Sequence, residues 1–236
     1  MTFASVAAGV DIAVIAGGAT KSGLDFVAAA FQKEAGHAVK VTYSTGLQAL
    51  KRMDDGEVFD VVIGSTDSIK RVYRPAGIIE EGGISIGRVG LGMMIRPGAP
   101  APNISSATAL KRAVLEADSI LYTEESSGLR IEAMLKKLGI FEPVEAKITR
   151  YSNGLEFTNH VLKGKGKDLA FLPITVILSQ IDKGLVLVGP LPEELQYNLE
   201  LIAVPSIMSS HKEVAWEFVR FCAGPGKPLL VAHGFS

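Results

Sequence analysis

Groups able to hold a small anion recur four times in this chain, each time between a short apolar run and a helical pattern. Thr20, Lys21 and Ser22 follow Ile12, Val14 and Ile15; Ser44 and Thr45 follow the run from Val39 to Tyr43. Ser126, Ser127 and Arg130 follow the run from Ser119 to Thr123, and Asn153 follows the run from Ile148 to Tyr151. The first turn of a helix carries unpaired backbone N–H groups and partial positive charge, so a small-residue loop at that point is an anion cradle in outline. The hydroxyls add neutral donors. Lys21 and Arg130 add charge of the kind that suits carboxylates, Arg as a bidentate fork and Lys as a point charge. One such loop is weak evidence, because glycines turn strands into helices for steric reasons and helix cations often only snorkel. Their repetition along the chain is what makes them a pattern.

Groups for proton or nucleophilic chemistry are sparse. Lys21, among small residues, is the candidate acid/base group, and His160, in the helix after the fourth cradle, reads as an ordinary helix histidine. His37, His211 and His233 fall at helix or turn edges and read as solvated. Asp60, before the apolar run Val61 to Ile63, and Asp67, after it, read as a turn residue and a helix N-cap. Cys222 is the only cysteine, which leaves no intrachain disulfide and reads as a core residue. No Cys/His cluster has metal-ligand spacing, and neither a GxSxG nor a phosphate-loop motif is present, so no cofactor or metal is expected.

The elements that position the cradles alternate between strand and helix. Leu24, Val27, Ala28 and Phe31 recur at helical spacing until Gly36, and LQALKRMDDG is a second helix ending at Gly56. Phe59 to Ile63 is a third strand, Val89 to Ile95 a glycine-containing strand, and Pro97 to Pro102 a segment between folding units. Further along, Leu169 to Leu172 is a buried strand ending at Pro173, followed by a helix from Ile174 to Lys183 and a strand from Leu185 to Val188. Asn198 to Val204 is a strand suited to pair with Val89 to Ile95, and His211 to Cys222 is a closing amphipathic helix. Such alternation requires an α/β fold with mostly parallel sheets flanked by helices. The two crossings, near 89–96 and 198–204, divide the chain into one lobe of 11–90 plus 205–236 and a second of 91–204.

With 236 residues, 47% of them hydrophobic, the chain can bury a full core. A net charge of −1 without a basic run gives no nucleic-acid surface, and a small anionic solute is the expected partner. No apolar run approaches the ~20 residues that span a bilayer, so no membrane insertion is expected. Residues 1–10, MTFASVAAGV, fit either the tail of a secretory signal peptide or an unstructured terminus.

In order and spacing the chain resembles the periplasmic molybdate-binding family, type 2 solute-binding proteins of ABC transporters. The resemblance is carried by the loop Gly17 to Ser22, the segment Tyr43-Ser44-Thr45-Gly46, the strand and turn FDVVIGSTD, the loop Ser126-Ser127-Gly128 and the ending HGF. It implies a two-lobe cleft that closes on a solute, a periplasmic or secreted monomer, and an ABC transporter permease as partner. It also places Pro173 at the ligand site, where the family has a tyrosine, and Ala19 where it has a serine. Those two departures, with Lys21 and Arg130, favour an organic di- or tricarboxylate over molybdate. Aconitate isomerase resembles the same family. The alternative is therefore an isomerase that moves a proton across an allylic tricarboxylate, with Lys21 as its acid/base group.

Overall fold

In the computed structural model, which describes residues 9–152 and 154–236, the chain begins with a buried strand β1, Ile12–Ala16, that runs through a single tight turn into helix α1, Lys21–Ala35. Residues 1–8 of the proposed leader and the cradle residue Asn153 lie outside the described residues. Leu24, Val27, Ala28 and Phe31 form the buried face of α1, as their spacing predicts, and Gly36 ends the helix at φ 76°. Strand β2, Val39–Tyr43, leads to α2, Gly46–Asp54, whose first turn is capped by the Thr45 hydroxyl accepting from Gln48 N–H. Strand β3, Val61–Ser65, leads to the short α3, Thr66–Ser68, which widens into a looser turn over Ile69–Tyr73. Ser65 caps α3, and Asp67 sits one residue inside it, so the sequence expectation for this cap is off by two positions. Asp60 is buried rather than a simple turn residue, accepting from Ala13 N–H at 2.8 Å and Ser209 Oγ at 2.6 Å.

Strand β4 runs over Ile84–Ile95, five residues earlier than the apolar pattern places it. Its start is hidden because Gly87, at φ 141°, lies at a register shift that breaks the alternation. After it come α4, Ala107–Glu116, β5, Ser119–Thr123, and α5, Ser126–Lys137. Next are α6, Phe141–Val144, β6, Ile148–Tyr151, α7, Gly154–Lys163, and β7, Asp168–Pro173. The helix expected from Ile174 to Lys183 is instead α8, Ile174–Leu178, and a separate turn at Ile181–Lys183 that Gly184 ends at φ 88°. The chain closes with β8, Val186–Pro190, β9, Asn198–Pro205, α9, Lys212–Ala223, and α10, Lys227–Ala232.

The strands lie in the order β2-β1-β3-β9-β4-β7-β5-β6, with β8 on β4. β1 is parallel to β2 and β3, and β5 is parallel to β6 and β7. The two parallel sets meet in β4. Its residues up to Gly90 pair antiparallel with β9, whereas Leu91 to Met94 pair with β7 and Gly92 to Ile95 with β8. β9 returns beside β4, the pairing its sequence suggests, and also pairs with β3. Packing follows the same division. Val14, Phe31, Ile63 and Val89 share a core with Leu201, Phe218 and Phe235, while Leu91, Leu110, Tyr122, Ile131 and Phe171 share another. Cys222 is fully buried in the former, as expected.

Candidate functional site

Three strand-to-helix turns of the first parallel set face two of the second, the β7-to-α8 turn and the β5-to-α5 turn. At the first, the hydroxyl of Thr175, in α8, donates to the carbonyl of Ala19 at 2.7 Å. At the second, the Glu125 carboxyl lies near enough to the Gly46 N–H and the Thr45 hydroxyl for both to favour its charged form. Glu125 is the residue before α5, and Thr45 and Gly46 open α2. At the third, Ser65 Oγ lies 2.9 Å from Ser126 Oγ, and Arg130 Nη2 donates to Asp67 Oδ2 at 2.6 Å. The guanidinium of Arg130 also stacks 4.1 Å from the Tyr197 ring centroid.

The sequence folds this way locally for identifiable reasons. Thr45 fixes the entry of α2, and Ser65 fixes α3 by accepting from Ser68 N–H at 3.1 Å. Gly128 lets the first turn of α5 press onto the end of β5: a Cβ there would sit 1.6 Å from the Thr123 carbonyl oxygen. That close approach sets where Glu125, Ser126 and Arg130 stand.

Burial pushes the Glu125 carboxyl above its ordinary range, and the neighbouring Glu124 adds to the effect. The Gly46 and Thr45 hydrogen bonds act the other way. Tyr73, buried close by, is pushed up by desolvation and by the charge of Glu125. Next to the Asp67–Arg130 pair lies a cavity of about 390 Å³, lined among others by Lys70, Arg88, Tyr197 and Glu200. Its charges are largely matched: Glu200 accepts from Thr66 Oγ1 at 3.2 Å and lies 4.0 Å from Arg88 Nη2.

Of the residues singled out by sequence, Thr45, Ser126 and Arg130 come together here. Others are engaged elsewhere. The buried Thr20 hydroxyl donates to the Gly17 carbonyl at 2.8 Å, and the Ser22 hydroxyl donates to the His233 carbonyl at 3.0 Å. Lys21 is exposed, with its ammonium 5.5 Å from the Tyr43 ring centroid. Ser44 is half-buried and donates its N–H to Ala16, and the buried Ser127 hydroxyl pairs with Thr123 Oγ1 at 3.3 Å. Pro173 ends β7 beside Leu91 and precedes α8. His160 is bonded through Nδ1 to the Tyr151 hydroxyl, and His37 Nδ1 accepts from Val10 N–H, so neither is simply solvated. Sequence reasoning missed Ser65, Asp67 and Glu125. Ser65 had a signal, a hydroxyl at the same strand-to-helix position as Thr45; the two acids had none, since acids at helix starts are ordinary.

Among the described residues no three His, Cys, Asp or Glu side chains gather as metal ligands, and no helix is long and apolar enough to cross a membrane.

The family model described as bacterial extracellular solute-binding protein matches residues 12–236, and the chain belongs to that family. Among solved structures, the sulfate-binding protein SubI from Mycobacterium tuberculosis H37Rv aligns with a TM-score of 0.77 at 19% identity, covering 96% of this chain and 86% of that one. The periplasmic molybdate-binding protein of Azotobacter vinelandii aligns with a TM-score of 0.73 at 16% identity, covering 95% and 98%. At such identities the likeness is one of fold, and the fold is the two-lobe type 2 arrangement of periplasmic binding proteins. Among curated proteins, an aconitate isomerase from a Pseudomonas species is 24% identical over 129 residues. That match takes in 52% of this chain and 49% of that protein, so the chain spans about half the length of the curated relative.

Proposed function

We propose that this family member is an extracytoplasmic receptor that closes its cleft on a small organic di- or tricarboxylate. The observation that carries the reading is the contact of Ser65 and Asp67, at the start of α3, with Ser126 and Arg130 of α5, next to the α2 cap residue Thr45. A ligand held by donors from both parallel sets stabilises the closed form, and a hinge motion about β4 and β9 admits it. On this reading the bodies that move are 11–90 with 205–236 and 91–204, the protein is a periplasmic or secreted monomer, and an ABC transporter permease is its partner.

The donor set favours a carboxylate over molybdate. A tetrahedral dianion bound by neutral groups needs several free hydroxyls and N–H groups. Here Thr20 and Ser22 donate to backbone carbonyls, while Ala19 and Pro173 offer no hydroxyl. Arg130, whose Nη2 donates to Asp67, brings a guanidinium with further N–H donors that a carboxylate can engage. A thermal-shift screen against molybdate, tungstate, sulfate, phosphate and a set of di- and tricarboxylates tests this. A ligand present at a hundred times its Kd adds about 2.7 kcal/mol of stability. For a chain of this size that corresponds to roughly 5–11 °C in Tm. Stabilisation by molybdate or tungstate alone would overturn the carboxylate reading.

The match to an aconitate isomerase supports a second reading, in which the same cleft moves a proton across an allylic tricarboxylate. That shift needs an acid/base group at the reacting carbon. Lys21 lies exposed beside Tyr43, so on this reading Glu125 is the better-placed group. It takes the proton from one end of the allyl unit, the electron pair shifts along it, and the proton returns at the other end. Cis–trans conversion of aconitate followed by NMR, in D₂O to record exchange at carbon, separates receptor from isomerase.

A further inference from the structure

The cavity beside the Asp67–Arg130 pair is walled by α3 and the turn after it, by α5, and by β4 and β9, where the two cores join. At about 390 Å³ it falls within the range of small-molecule sites, roughly 300–1,000 Å³. We infer that it selects an acidic amino acid: Lys70 takes one carboxylate, the free carboxylate oxygens of Asp67 and Glu200 take the ammonium, and the second carboxylate turns toward Ser126 and Arg130. This rests on the receptor reading above and narrows its ligand from any di- or tricarboxylate to an amino dicarboxylate.

The charges of the lining argue for it. Three cations, Lys70, Arg88 and Arg130, face two carboxylates, Asp67 and Glu200, which leaves one positive charge over. Arg130 Nη2 donates to Asp67 Oδ2 at 2.6 Å, and Arg88, the strand partner of Glu200, has Nη2 4.0 Å from Glu200 Oε1. Lys70 is exposed and has no hydrogen bond or ion pair among the described residues. It is the unmatched charge. A plain dicarboxylate overshoots that charge by one and brings its excess close to Asp67 and Glu200, where like charges repel. An amino dicarboxylate carries a single net negative charge and balances the lining.

The hydrogen bonds argue the same way. Asp67 Oδ2 and Glu200 Oε2 are held by Arg130 and by Thr66 Oγ1, the latter at 3.2 Å, whereas Asp67 Oδ1 and Glu200 Oε1 accept no hydrogen bond among the described residues. Both carboxylates are therefore oriented and keep acceptor capacity for an ammonium, which has three donors to give. A site with acceptors already placed discriminates against an analogue that lacks the donor. Partial exposure sets the size of the effect. The Asp67 and Glu200 side chains are 23% and 38% exposed, so water screens them in part and the discrimination should be nearer tenfold than thousandfold.

Isothermal titration of the purified full chain with L-glutamate, L-aspartate, glutarate, succinate and 4-aminobutyrate tests the inference, alongside the variants K70Q, K70R and E200Q. The wild type is expected to bind glutamate or aspartate at least about tenfold more tightly than the diacid of the same length, and more tightly than 4-aminobutyrate, which lacks the second carboxylate. K70Q is expected to lose about tenfold for that amino acid, and K70R, which keeps the charge, to retain most of the affinity. Lys70 is exposed, so neither change at that position removes core packing. E200Q is expected to erase most of the preference for the amino acid over the diacid. Glutarate or succinate bound as tightly as its amino counterpart overturns the assignment of the ammonium and leaves the receptor reading standing. An affinity that survives K70Q, or a preference that survives E200Q, overturns the placement in this cavity, again without touching the receptor. If none of the five organic acids binds, the receptor reading falls and this inference with it.

Discussion

Glu125 and Glu132, about two helical turns apart at the start of α5 and within it, are displaced in opposite directions, and each direction has a stability consequence. Burial raises Glu125, so the folded chain holds that proton more tightly than the unfolded chain, and its ionisation costs stability as pH rises through the folded value. Hydrogen bonds from Lys136 and Arg150 hold Glu132 down to about 2, so its contribution is full above the ordinary carboxylate range and is lost as pH falls towards about 2. Urea midpoints at a series of pH values should therefore show E125Q more stable than the wild type at neutral pH, with the gap closing in acid. E132Q should be less stable at neutral pH by about 1 kcal/mol or less, since both ion pairs are partly exposed, with that gap also closing in acid. Parallel curves across the pH range would rule out both assignments. At this scale the sequence exposed the donors and concealed the acceptors. Thr45, Ser126 and Arg130 stand out because hydroxyls and cations recur after strands, whereas Glu125 and Asp67 look like ordinary helix-start acids until the opposite turn is seen to face them.

At the level of elements, the site depends on how closely α5 approaches β5. Gly128 is the point of contact, and a methyl group there would overlap the Thr123 carbonyl, which is backbone and cannot rotate away. Gly128→Ala must displace α5 or fray its first turn. The loss should be at least the 1–3 kcal/mol typical of overpacking, read as a lower denaturant midpoint, and ligand affinity should fall with it because Glu125, Ser126 and Arg130 ride on that turn. An unchanged midpoint would show that the approach is not what positions α5. Most elements were legible because their periods are clean, α1 with Leu24, Val27, Ala28 and Phe31 buried and β5 at the bounds its apolar run gives. The start of β4 was not, since Gly87 and the register shift beside it break the period-two pattern. The length of α8 was not either. Val176, Ile177 and Leu178 continue apolar, but the chain turns at Ser179 and Gln180 and the left-handed Gly184 closes the segment.

For the whole molecule, the question is whether the two cores move against each other, and the native cysteine content makes this measurable. They are joined through β4, whose pairing passes from β9 to β7 and β8, and they touch again across the facing turns. If ligand enters by a hinge motion about β4 and β9, a bond across the facing turns must stop it. Ser65 Oγ and Ser126 Oγ lie 2.9 Å apart, close enough for cysteines at both positions to bridge with small adjustment. The native Cys222 is fully buried, and burial pushes its thiol up, so it should not compete for the oxidant. The oxidised S65C/S126C protein is expected to take up ligand far more slowly than the wild type, and reduction is expected to restore the rate. The oxidised and reduced forms differ in one bond, so a loss of uptake common to both would reflect the lost hydroxyls rather than closure. Equal, wild-type uptake in both would mean that solute reaches the site without separation of the cores. The α2 and α5 N-termini would then be reached from the side, past the exposed Leu47 and Leu129 that follow them in their first turns.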